Sequence, residues 1–417
     1  MQIPIAIMAK DKIYSAIDLG SQTIRAAIGR LNEDGSLEVI GYGTASSEGI
    51  IKGRVEDANA AQEAIKKAVL AAENDVKTRL SYQMQEVITS VTGSIISGEQ
   101  DGTTVSNNMR DGKITEKLLF EIDGLFEERF THKDRKPIHI YVTEYNVDNV
   151  RETSQASVLE MQGEKIGAKG FGILGDSAIL DKIAGTLNNA GHTVEIFCFD
   201  VVADGYAVLT PEQRQIGSLI INAGAGSTDF AFWKNGIVQF IGSFPVGGDH
   251  VTNDLALGLN MPFKAAEDLK CQYDKNETEV RVGGKLYKTR SVDTIVQART
   301  EETVRYIANK IKQNGMLSQI QGGIFLTGNA AKSSFITYMR REFSSLEVRN
   351  AYPIIPAEPD NSDPSDTGRL YSPYYGNKFQ TDAGSSTILG MLVYAAKEDI
   401  HSSKKSSSGI FKFFNLL

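Results

Sequence analysis

The chain has 417 residues, and its 44 lysines and arginines against 52 aspartates and glutamates give a formal net charge of −8. Because binding to nucleic acid depends on clustered basic side chains, this acidic balance argues against nucleic acid as a partner. Apolar and charged residues make up 41% and 23% of the chain, as in a globular protein rather than a disordered one. At this length a single core stops growing, so we expect two or more domains.

The cysteines and the apolar runs restrict the class further. Two cysteines, Cys198 and Cys271, are too few for a disulfide-rich scaffold or a four-thiolate zinc site. The first residues lack the basic segment of a signal peptide, and no run approaches the roughly 18 apolar residues of a membrane-spanning helix. We therefore expect a cytosolic protein.

Two segments with the same pattern open the two halves of the chain. Residues 13–43 and 217–243 each read as a strand, a glycine-rich turn, a second strand, a hairpin turn and a third strand. Asp18 and Asn222 occupy equivalent positions in the two segments. Matched halves that each begin with a glycine-rich turn predict a ligand held in a cleft between two lobes.

Helices and an inserted subdomain follow the first segment. Residues 57–76 are rich in alanine and predict a helix, for which Asp57 is a suitable N-cap. Residues 85–165 read as an inserted subdomain of mixed structure. Its two strands and its helix are predicted at residues 86–96, 138–145 and 115–130.

The second half is predicted to contain three helices, a loop and a linker. Five of the ten prolines lie in residues 352–382, which predicts a loop there. Residues 401–409 are small and polar, which is the composition of a structureless linker. The helices are predicted at residues 250–270, 293–313 and 385–396.

The two glycine-rich turns predict a phosphate-binding site. Glycine lets backbone N–H groups approach an anion, and serine and threonine add side-chain donors. Asp18 ends an apolar strand, where a carboxylate suits a hydrated Mg²⁺ beside phosphates. One such turn is weak evidence, but matched turns in matched halves favour a phosphate clamp over structural turns. The chain has no Gly-x-x-x-x-Gly-Lys-Ser/Thr loop.

These motifs resemble those of the actin, Hsp70 and sugar-kinase ATPase superfamily. The runs IDLGSQT at 17–23 and INAGAGSTD at 221–229 resemble its two phosphate loops. IFLTGNA at 324–330 resembles its adenosine motif, and AEDLK at 266–270 resembles the helix that contacts the ribose and the adenine. The resemblance implies an α/β actin-like fold of two lobes, each with an inserted subdomain, and ATP and Mg²⁺ as ligands.

Within this superfamily the chain is most similar to the FtsA family of bacterial cell-division proteins. FPVGGDHVTND at 244–254, GIIKGRV at 49–55, the inserted subdomain and the apolar C-terminus all fit that family. The resemblance implies a protein that forms polymers at the division septum, binds the C-terminal peptide of FtsZ and recruits other division proteins. It also implies attachment to the cytoplasmic face of the inner membrane.

The resemblance assigns a role to each part of the chain. The first lobe comprises residues 1–84 and 166–205 with the insert 85–165, and the second comprises 206–243 and 323–400 with the insert 244–322. The linker 401–409 and a membrane-targeting amphipathic helix at 410–417 complete the chain.

The resemblance also assigns residues to ligands. Asp18 would position the metal, the glycine-rich loops would cradle phosphate, and Glu267 and Lys270 would help hold the nucleoside. The expected nucleotide-binding residues are Asp18, Gly20, Ser21, Gln22, Thr23, Arg25, Asn222, Gly224, Gly226, Ser227, Thr228, Gly247, Gly248, Glu267, Lys270, Gly328, Asn329 and Ala330. The candidates for contacting the acidic FtsZ peptide are Lys285, Lys288, Arg290 and Arg299.

Departures from the superfamily's pattern bear on catalysis. Asn222 stands where the second loop usually carries aspartate, so one negative charge near the metal and a general base are lost. Thr23 stands at the usual lysine position of the first loop, and Arg25 would replace part of that charge. Asn329 and Ala330 stand where glycines are usual and would narrow the base pocket. We expect ATP binding with at most weak hydrolysis, and no catalytic residue is assigned.

The last eight residues predict a membrane anchor. Six apolar residues share one arc of a helical wheel, and their partial burial in lipid would contribute ~4–6 kcal/mol, enough for reversible attachment. Lys404 and Lys405 would add attraction to an anionic surface. The alternative, docking on the protein's own core, is disfavoured by the polar spacer before the segment. The apolar residues are Ile410, Phe411, Phe413, Phe414, Leu416 and Leu417.

Two other functions share parts of this pattern. A soluble kinase or chaperone ATPase of the same superfamily would hydrolyse ATP rapidly and need no apolar tail, and Asn222 counts against it. An actin-like pilus or secretion assembly protein would share the fold and the nucleotide, but would not need residues 410–417.

Overall fold

The computed structural model describes residues 12–76, 82–273, 276–329, 333–356, 369–375, 379 and 382–407. The strands are β1 (Lys12–Leu19), β2 (Thr23–Leu31), β3 (Ser36–Ser46), β4 (Ile50–Ile51), β5 (Arg54–Val55), β6 (Glu86–Val91), β7 (Ile96–Ser106), β8 (Arg135–Val147), β9 (Val150–Glu152), β10 (Lys165–Asp176), β11 (Thr193–Phe199), β12 (Ser218–Ala223), β13 (Thr228–Lys234), β14 (Ile237–Phe244), β15 (Glu279–Val282), β16 (Lys285–Lys288), β17 (Gly323–Thr327), β18 (Val348–Asn350) and β19 (Arg369–Tyr371). The α-helices are α1 (Ala58–Val76), α2 (Glu116–Phe130), α3 (Gln155–Val158), α4 (Ser177–Ala190), α5 (Asp200–Val208), α6 (Pro211–Ile216), α7 (Gly248–Gly258), α8 (Phe263–Gln272), α9 (Thr289–Gln313), α10 (Ser333–Glu342) and α11 (Ser386–Ser407).

The chain divides into two compact units, each built on its own sheet. Unit 1 takes its described residues from Met1–Val91, Ala178–Leu209 and Tyr352–Leu417, and unit 2 from Thr92–Ser177 and Thr210–Ala351. In the part of the chain that is described, no helix is both long and apolar enough to cross a membrane.

The two sheets repeat one strand order, as the two matched sequence segments predict. The order is β11-β6-β1-β2-β3-β19 in unit 1 and β14-β13-β12-β17-β18 in unit 2. In each sheet an antiparallel meander of three strands is continued by two parallel strands. Asp18 is opposite Arg25, and Asn222 is opposite Asp229, so the paired residues that flank the two glycine-rich turns have the same spacing along the chain. The α/β actin-like fold is thereby confirmed.

Small residues allow the helices of unit 1 to approach its sheet closely. The alanine-rich face of α1 is buried, and a Cβ at Gly43 on β3 would lie 2.2 Å from the Ala68 carbonyl oxygen. On α11, a Cβ at Gly390 would lie 1.8 Å from the Ala203 oxygen of α5. The Asp57 carboxylate accepts hydrogen bonds from the Asn59 and Ala60 amides at 3.0 and 3.1 Å, which confirms the predicted N-cap of α1.

The core of unit 2 joins its sheet to a smaller subdomain through one long helix. The C-terminal half of α9 buries Val304, Ile307 and Ile311 against the sheet. Its N-terminal half buries Val292 and Val296 against α7, α8 and the β15–β16 hairpin. Helix α9 therefore belongs both to the sheet and to the smaller subdomain, because successive turns of its apolar face pack against different partners.

The segment Thr92–Ser177 forms the sheet β7-β10-β8-β9, with α2 on one face. Gly170 and Gly172 leave room for the rings of Phe126 and Phe130, because an added Cβ would lie 2.6 and 2.7 Å from them. The sequence prediction attached an insert at 85–165 to the first lobe. In the structure, β6 lies in the sheet of unit 1, and the insert packs on β14 of unit 2.

Three other elements differ from the sequence prediction. The helix predicted at 250–270 is two helices, because Pro262 interrupts the hydrogen-bond ladder and starts α8 as its N-cap. The predicted loop at 352–382 contains the strand β19, which pairs with β3. Helix α11 runs to Ser407, so the prediction of a structureless linker is wrong for residues 401–407.

His139 on β8 gives the insert a dependence on pH. Its side chain is 3% exposed, and burial lowers its pKa to about 3 from the ordinary 6.5. The neutral ring therefore contributes stability that is fully present above pH 6.5 and is lost as the pH falls toward 3. Between pH 7 and pH 5 the loss is about 2 kcal/mol.

The wild-type chain should lose about 2 kcal/mol more unfolding free energy between pH 7 and pH 5 than the variant His139→Gln. Denaturant titrations at both pH values measure it. The matched control is His132→Gln, because His132 lies on the surface of the same insert. A wild-type pH dependence that survives in His139→Gln would contradict the assignment.

Candidate functional site

Asp18 ends β1 in unit 1 and is oriented by its neighbours. Its Oδ1 accepts a hydrogen bond from Ser90 Oγ at 2.8 Å, and its Oδ2 accepts one from Arg25 Nη1 at 3.4 Å. The Leu19 amide donates to the same Ser90 hydroxyl at 2.8 Å. Burial raises the pKa of Asp18, while Arg25 and Ser90 oppose that rise. The carboxylate is therefore held in one orientation at the end of the strand.

Arg25 lies on β2, directly across from Asp18, and is 7% exposed. Asp18 and Asp382 both act on its guanidinium electrostatically, and Tyr42 hydrogen-bonds to it. Burial raises the pKa of Tyr42 to about 12. The positive charge of Arg25 is thus shared with carboxylates of unit 1, whereas the sequence analysis directed it toward phosphate.

The first glycine-rich turn, residues 20–22, is tight and anchored on two sides. A Cβ at Gly20 would lie 2.6 Å from the Thr23 carbonyl oxygen, so this closure requires glycine. The Ser21 hydroxyl accepts a hydrogen bond from the Lys52 amide at 3.0 Å. The Gln22 carbonyl accepts one from the Ser47 amide at 3.0 Å. The turn therefore has a defined shape in the structure.

The second turn, residues 224–227, is joined to the start of α7. The Gly224 and Ala225 carbonyls accept hydrogen bonds from the amides of Gly248 and Asp249, both at 2.9 Å. A Cβ at Gly247 would lie 2.5 Å from both carbonyl oxygens. Gly247 and Gly248, two of the predicted nucleotide residues, therefore hold the turn through backbone contacts.

Asp229 is a buried acid that the sequence analysis did not assign to the site. It is 1% exposed and accepts hydrogen bonds from Thr92 Oγ1 at 2.6 Å, Ser227 Oγ at 2.8 Å and the Gly93 amide at 3.3 Å. Burial raises its pKa, and these donors oppose that rise. Asp229 thereby ties the second turn to the first residues of the insert.

The hydroxyls of the second turn point toward protein partners. Ser227 donates to Asp229, and Thr228 donates to the Val246 carbonyl at 2.7 Å. Both were predicted as phosphate donors. In this geometry they shape the turn, and the Gly224 amide donates to the Ser227 carbonyl, so the backbone N–H groups of residues 225–227 are the groups suited to an anion.

The nucleoside candidates in unit 2 form a connected group. Glu267 and Lys270 form an ion pair at 2.7 Å, and Lys270 Nζ also donates to Gly248 O at 3.1 Å and Thr252 Oγ1 at 2.7 Å. Partial burial tends to raise the pKa of Glu267, but hydrogen bonds from Lys270 and Thr252 outweigh it and lower that pKa. These contacts place Glu267 and Lys270 at the start of α7, beside the second turn.

Gly328 follows β17 and adjoins Asn222 of β12. Its φ is +80°, and an added Cβ would lie 2.5 Å from Asn222 Oδ1 and 2.6 Å from the Ala223 carbonyl oxygen. Asn329 follows it on the surface, and Ala330 lies outside the described residues. The turn after β17 therefore requires glycine at position 328, directly beside Asn222, the residue that replaces the usual aspartate.

The four basic candidates for the FtsZ peptide lie on two neighbouring elements. Lys285 and Lys288 are at the ends of β16, while Arg290 and Arg299 lie on α9. Arg299 forms a two-bonded ion pair with Asp254, at 2.7 and 3.1 Å, and also contacts Glu302 at 2.7 Å. It lines a cleft of about 380 Å³ together with Asp254, Leu257, Thr294, Ile295, Ala298 and Glu302.

Asp18, predicted to hold the metal, and Lys404 and Lys405, predicted to attract a membrane, lie among the described residues. Among these residues, no group of three or more His, Cys, Asp or Glu side chains is arranged to hold a metal ion. Lys404 and Lys405 lie on the last turns of α11, and residues 410–417 lie outside the described part of the chain.

Comparisons with known proteins agree with these features. A family model described as cell division protein FtsA matches residues 219–388. The cell division protein FtsA of Pseudomonas aeruginosa is 23% identical over 97% of this chain and 94% of its own length. That of Bacillus subtilis is 24% identical over 83% of this chain and 80% of its own length.

Solved structures share the fold at low sequence identity. The alignment with a chain of the PilM–PilN type IV pilus biogenesis complex covers 92% of this chain and 98% of that one, with a TM-score of 0.61 and 14% identity. The alignment with MreB5 of Spiroplasma citri bound to AMPPNP covers 96% of this chain and 100% of that one, with a TM-score of 0.51 and 11% identity. Over most of its length the chain is thus similar to the cell division protein FtsA of several bacteria, and the family model matches its second half.

Proposed function

We propose that this chain acts in bacterial cell division as an actin-like protein that binds ATP with Mg²⁺, self-associates and attaches FtsZ filaments to the cytoplasmic membrane. The observation that carries the proposal is the repeated turn, which in each unit follows a buried strand and has a polar pair across its base. These pairs are Asp18 with Arg25 and Asn222 with Asp229. Other division proteins would then be recruited at the septum.

The chemistry of the turns fits nucleotide phosphates. Glycines give anions access to backbone amides, and the Ser90 and Arg25 bonds orient the Asp18 carboxylate. Mg²⁺ keeps several water ligands and needs only one or two carboxylates beside phosphate oxygens, so Asp18 is a sufficient protein ligand. When bound, Mg²⁺ would neutralise phosphate charge. MreB5, a structural relative, is described with AMPPNP and with ADP.

Nucleotide would serve mainly as a conformational ligand. Asn222 offers no negative charge and no general base, and the Oδ2 atom of Asp229, opposite it, accepts hydrogen bonds from Thr92, Ser227 and the Gly93 amide. We infer at most weak hydrolysis. A ligand that binds only the folded chain stabilises it by mass action, and this requires no turnover.

The cleft between α7 and α9 is the proposed site for the FtsZ peptide. Leu257 is 74% exposed there and offers an apolar contact. Arg299 is held by the carboxylates of Asp254 and Glu302, so the exposed Lys285 and Lys288 on β16 would supply the positive charge for an acidic peptide. An acidic peptide with apolar residues fits this combination.

Co-sedimentation with lipid vesicles and FtsZ tests the tethering proposal. We expect the full chain to carry FtsZ to vesicles containing phosphatidylglycerol, and a chain ending at Gly409 to leave both proteins in the supernatant, because six apolar side chains are removed. Phe413→Asp should behave like the truncation, whereas Asn415→Ala should behave like the full chain. Equal pelleting of the truncated and full chains would contradict the anchor.

A further inference from the structure

The short hairpin formed by β4 and β5 reaches the first glycine-rich turn through Lys52. The Lys52 amide donates to Ser21 Oγ at 3.0 Å, so the lysine backbone is fixed against the turn. Lys52 has a φ of +51°, a left-handed conformation that costs a non-glycine residue about 1 kcal/mol. Gly53, with a φ of +76°, completes the two-residue type I′ turn that joins β4 to β5, so the hairpin itself requires this conformation.

The base of the hairpin is rigid, which fixes the position of its tip. The Gly49 carbonyl accepts hydrogen bonds from the Glu56 and Asp57 amides at 2.8 and 3.1 Å. Ile50 and Val55, which pair across the hairpin, are both buried. At the tip Lys52 is exposed, as are the flanking Ile51 and Arg54.

Charge balance at the first turn calls for a cation. The turn, Gly20 to Gln22, and Thr23 after it carry no basic side chain, and Arg25 is paired with buried Asp18. The phosphates of ATP carry several negative charges, and the amides of the turn supply only partial positive charge. A lysine ammonium on a flexible four-carbon stem can act as a point charge for phosphate.

We propose that Lys52 supplies the phosphate-binding cation that the first turn itself lacks. The Ser21 hydroxyl fixes the Lys52 backbone at the edge of the turn, which brings the turn within the length of a lysine side chain. This inference rests on the proposed nucleotide binding and assigns one further residue to that site.

Titration of the full chain with fluorescent MgATP tests this role. Lys52→Asn should weaken MgATP binding about tenfold, because one charge-assisted contact is lost while asparagine still tolerates the left-handed backbone. Lys52→Arg should restore the affinity to within about threefold of wild type. The matched control is Lys67→Ala, an exposed lysine of α1 in the same unit, which should leave the affinity unchanged.

Thermal unfolding without nucleotide verifies that each variant is folded. MgATP affinity of Lys52→Asn within twofold of wild type would overturn the role of Lys52 and leave the proposed function intact. An equal loss of MgATP affinity in Lys52→Arg and Lys52→Asn would also overturn the role of Lys52, because the loss would then come from the backbone and not from the charge. Failure of the wild-type chain itself to bind MgATP would overturn the proposed function, and this inference with it.

Discussion

Gly328→Val is expected to abolish ATP binding and to destabilise unit 2 by about 3 kcal/mol. A valine at a φ of +80° is strained, and its Cβ would lie 2.5 Å from Asn222 Oδ1 and 2.6 Å from the Ala223 carbonyl oxygen. Because the neighbouring atoms are an amide and the backbone of β12, the strand end must move. Denaturant unfolding and ATP titration measure the two effects.

Gly284→Val separates the steric effect from the backbone effect. Gly284 also has a φ of +80°, but an added Cβ there meets no atom within 4 Å. We expect this control to lose about 1–2 kcal/mol of stability and to bind ATP normally. Equal losses of stability in the two variants, or normal ATP binding by Gly328→Val, would contradict the proposed role of the turn after β17.

Asn222→Asp is expected to make the stability of the chain dependent on Mg²⁺. Directly opposed residues of an antiparallel pair project on the same face, so the new carboxylate would lie beside buried Asp229. Repulsion would raise the pKa of Asp229 further above its ordinary value, which burial has already raised. The free energy of unfolding in EDTA should fall by roughly 1–3 kcal/mol near neutral pH.

The pH dependence of this variant has a defined sign. A carboxyl group with a raised pKa in the folded state contributes stability below its unfolded value of 3.8, and that contribution is lost as the pH rises through the folded value. Asn222→Asp should therefore be weakest near neutral pH in EDTA, and MgATP should recover the lost stability. Asn314→Asp adds the same charge at an exposed position of unit 2 outside the site and serves as control. Identical stability of Asn222→Asp in EDTA and in MgATP would contradict a metal-phosphate site at the second turn.

Local sequence patterns predicted the order of the strands and the ends of helices, which depend on residues close together in the chain. Two matched strand–turn–strand segments predicted two sheets of the same order, and Asp57 predicted the start of α1, because these features depend on neighbouring residues. The helix break at Pro262 also has a local signal, which the apolar periodicity on both sides concealed.

Contacts distant in sequence account for what the sequence analysis missed. Two of the three hydrogen-bond donors to Asp229, Thr92 and the Gly93 amide, lie more than 130 residues earlier, and no local pattern indicates that pairing. The one available signal was the equal spacing from Asp18 to Arg25 and from Asn222 to Asp229. Lys52 was quoted as part of a motif, but its contact with Ser21 depends on how the β4–β5 hairpin folds back.

The orientation of the side chains could not be predicted from the sequence either. Ser227 and Thr228 are suitable phosphate donors by composition, yet both hydroxyls are used inside unit 2. Arg25 alternates with its neighbours along β2, and its position opposite Asp18 follows only from the register. Residue type indicated the chemistry available at each turn, and the hydrogen-bond network decides which groups remain for a ligand.

Calorimetric titration of the full chain with ATP in Mg²⁺ tests the central claim that the two matched turns bind nucleotide phosphates. We predict saturable binding of about one nucleotide per chain, together with a rise in unfolding free energy of roughly 2.7 kcal/mol when free nucleotide is 100 times its Kd. Asp18→Ala should lose both effects. Absence of binding heat and of any stabilisation at millimolar MgATP, in a chain shown to be folded, would contradict the account.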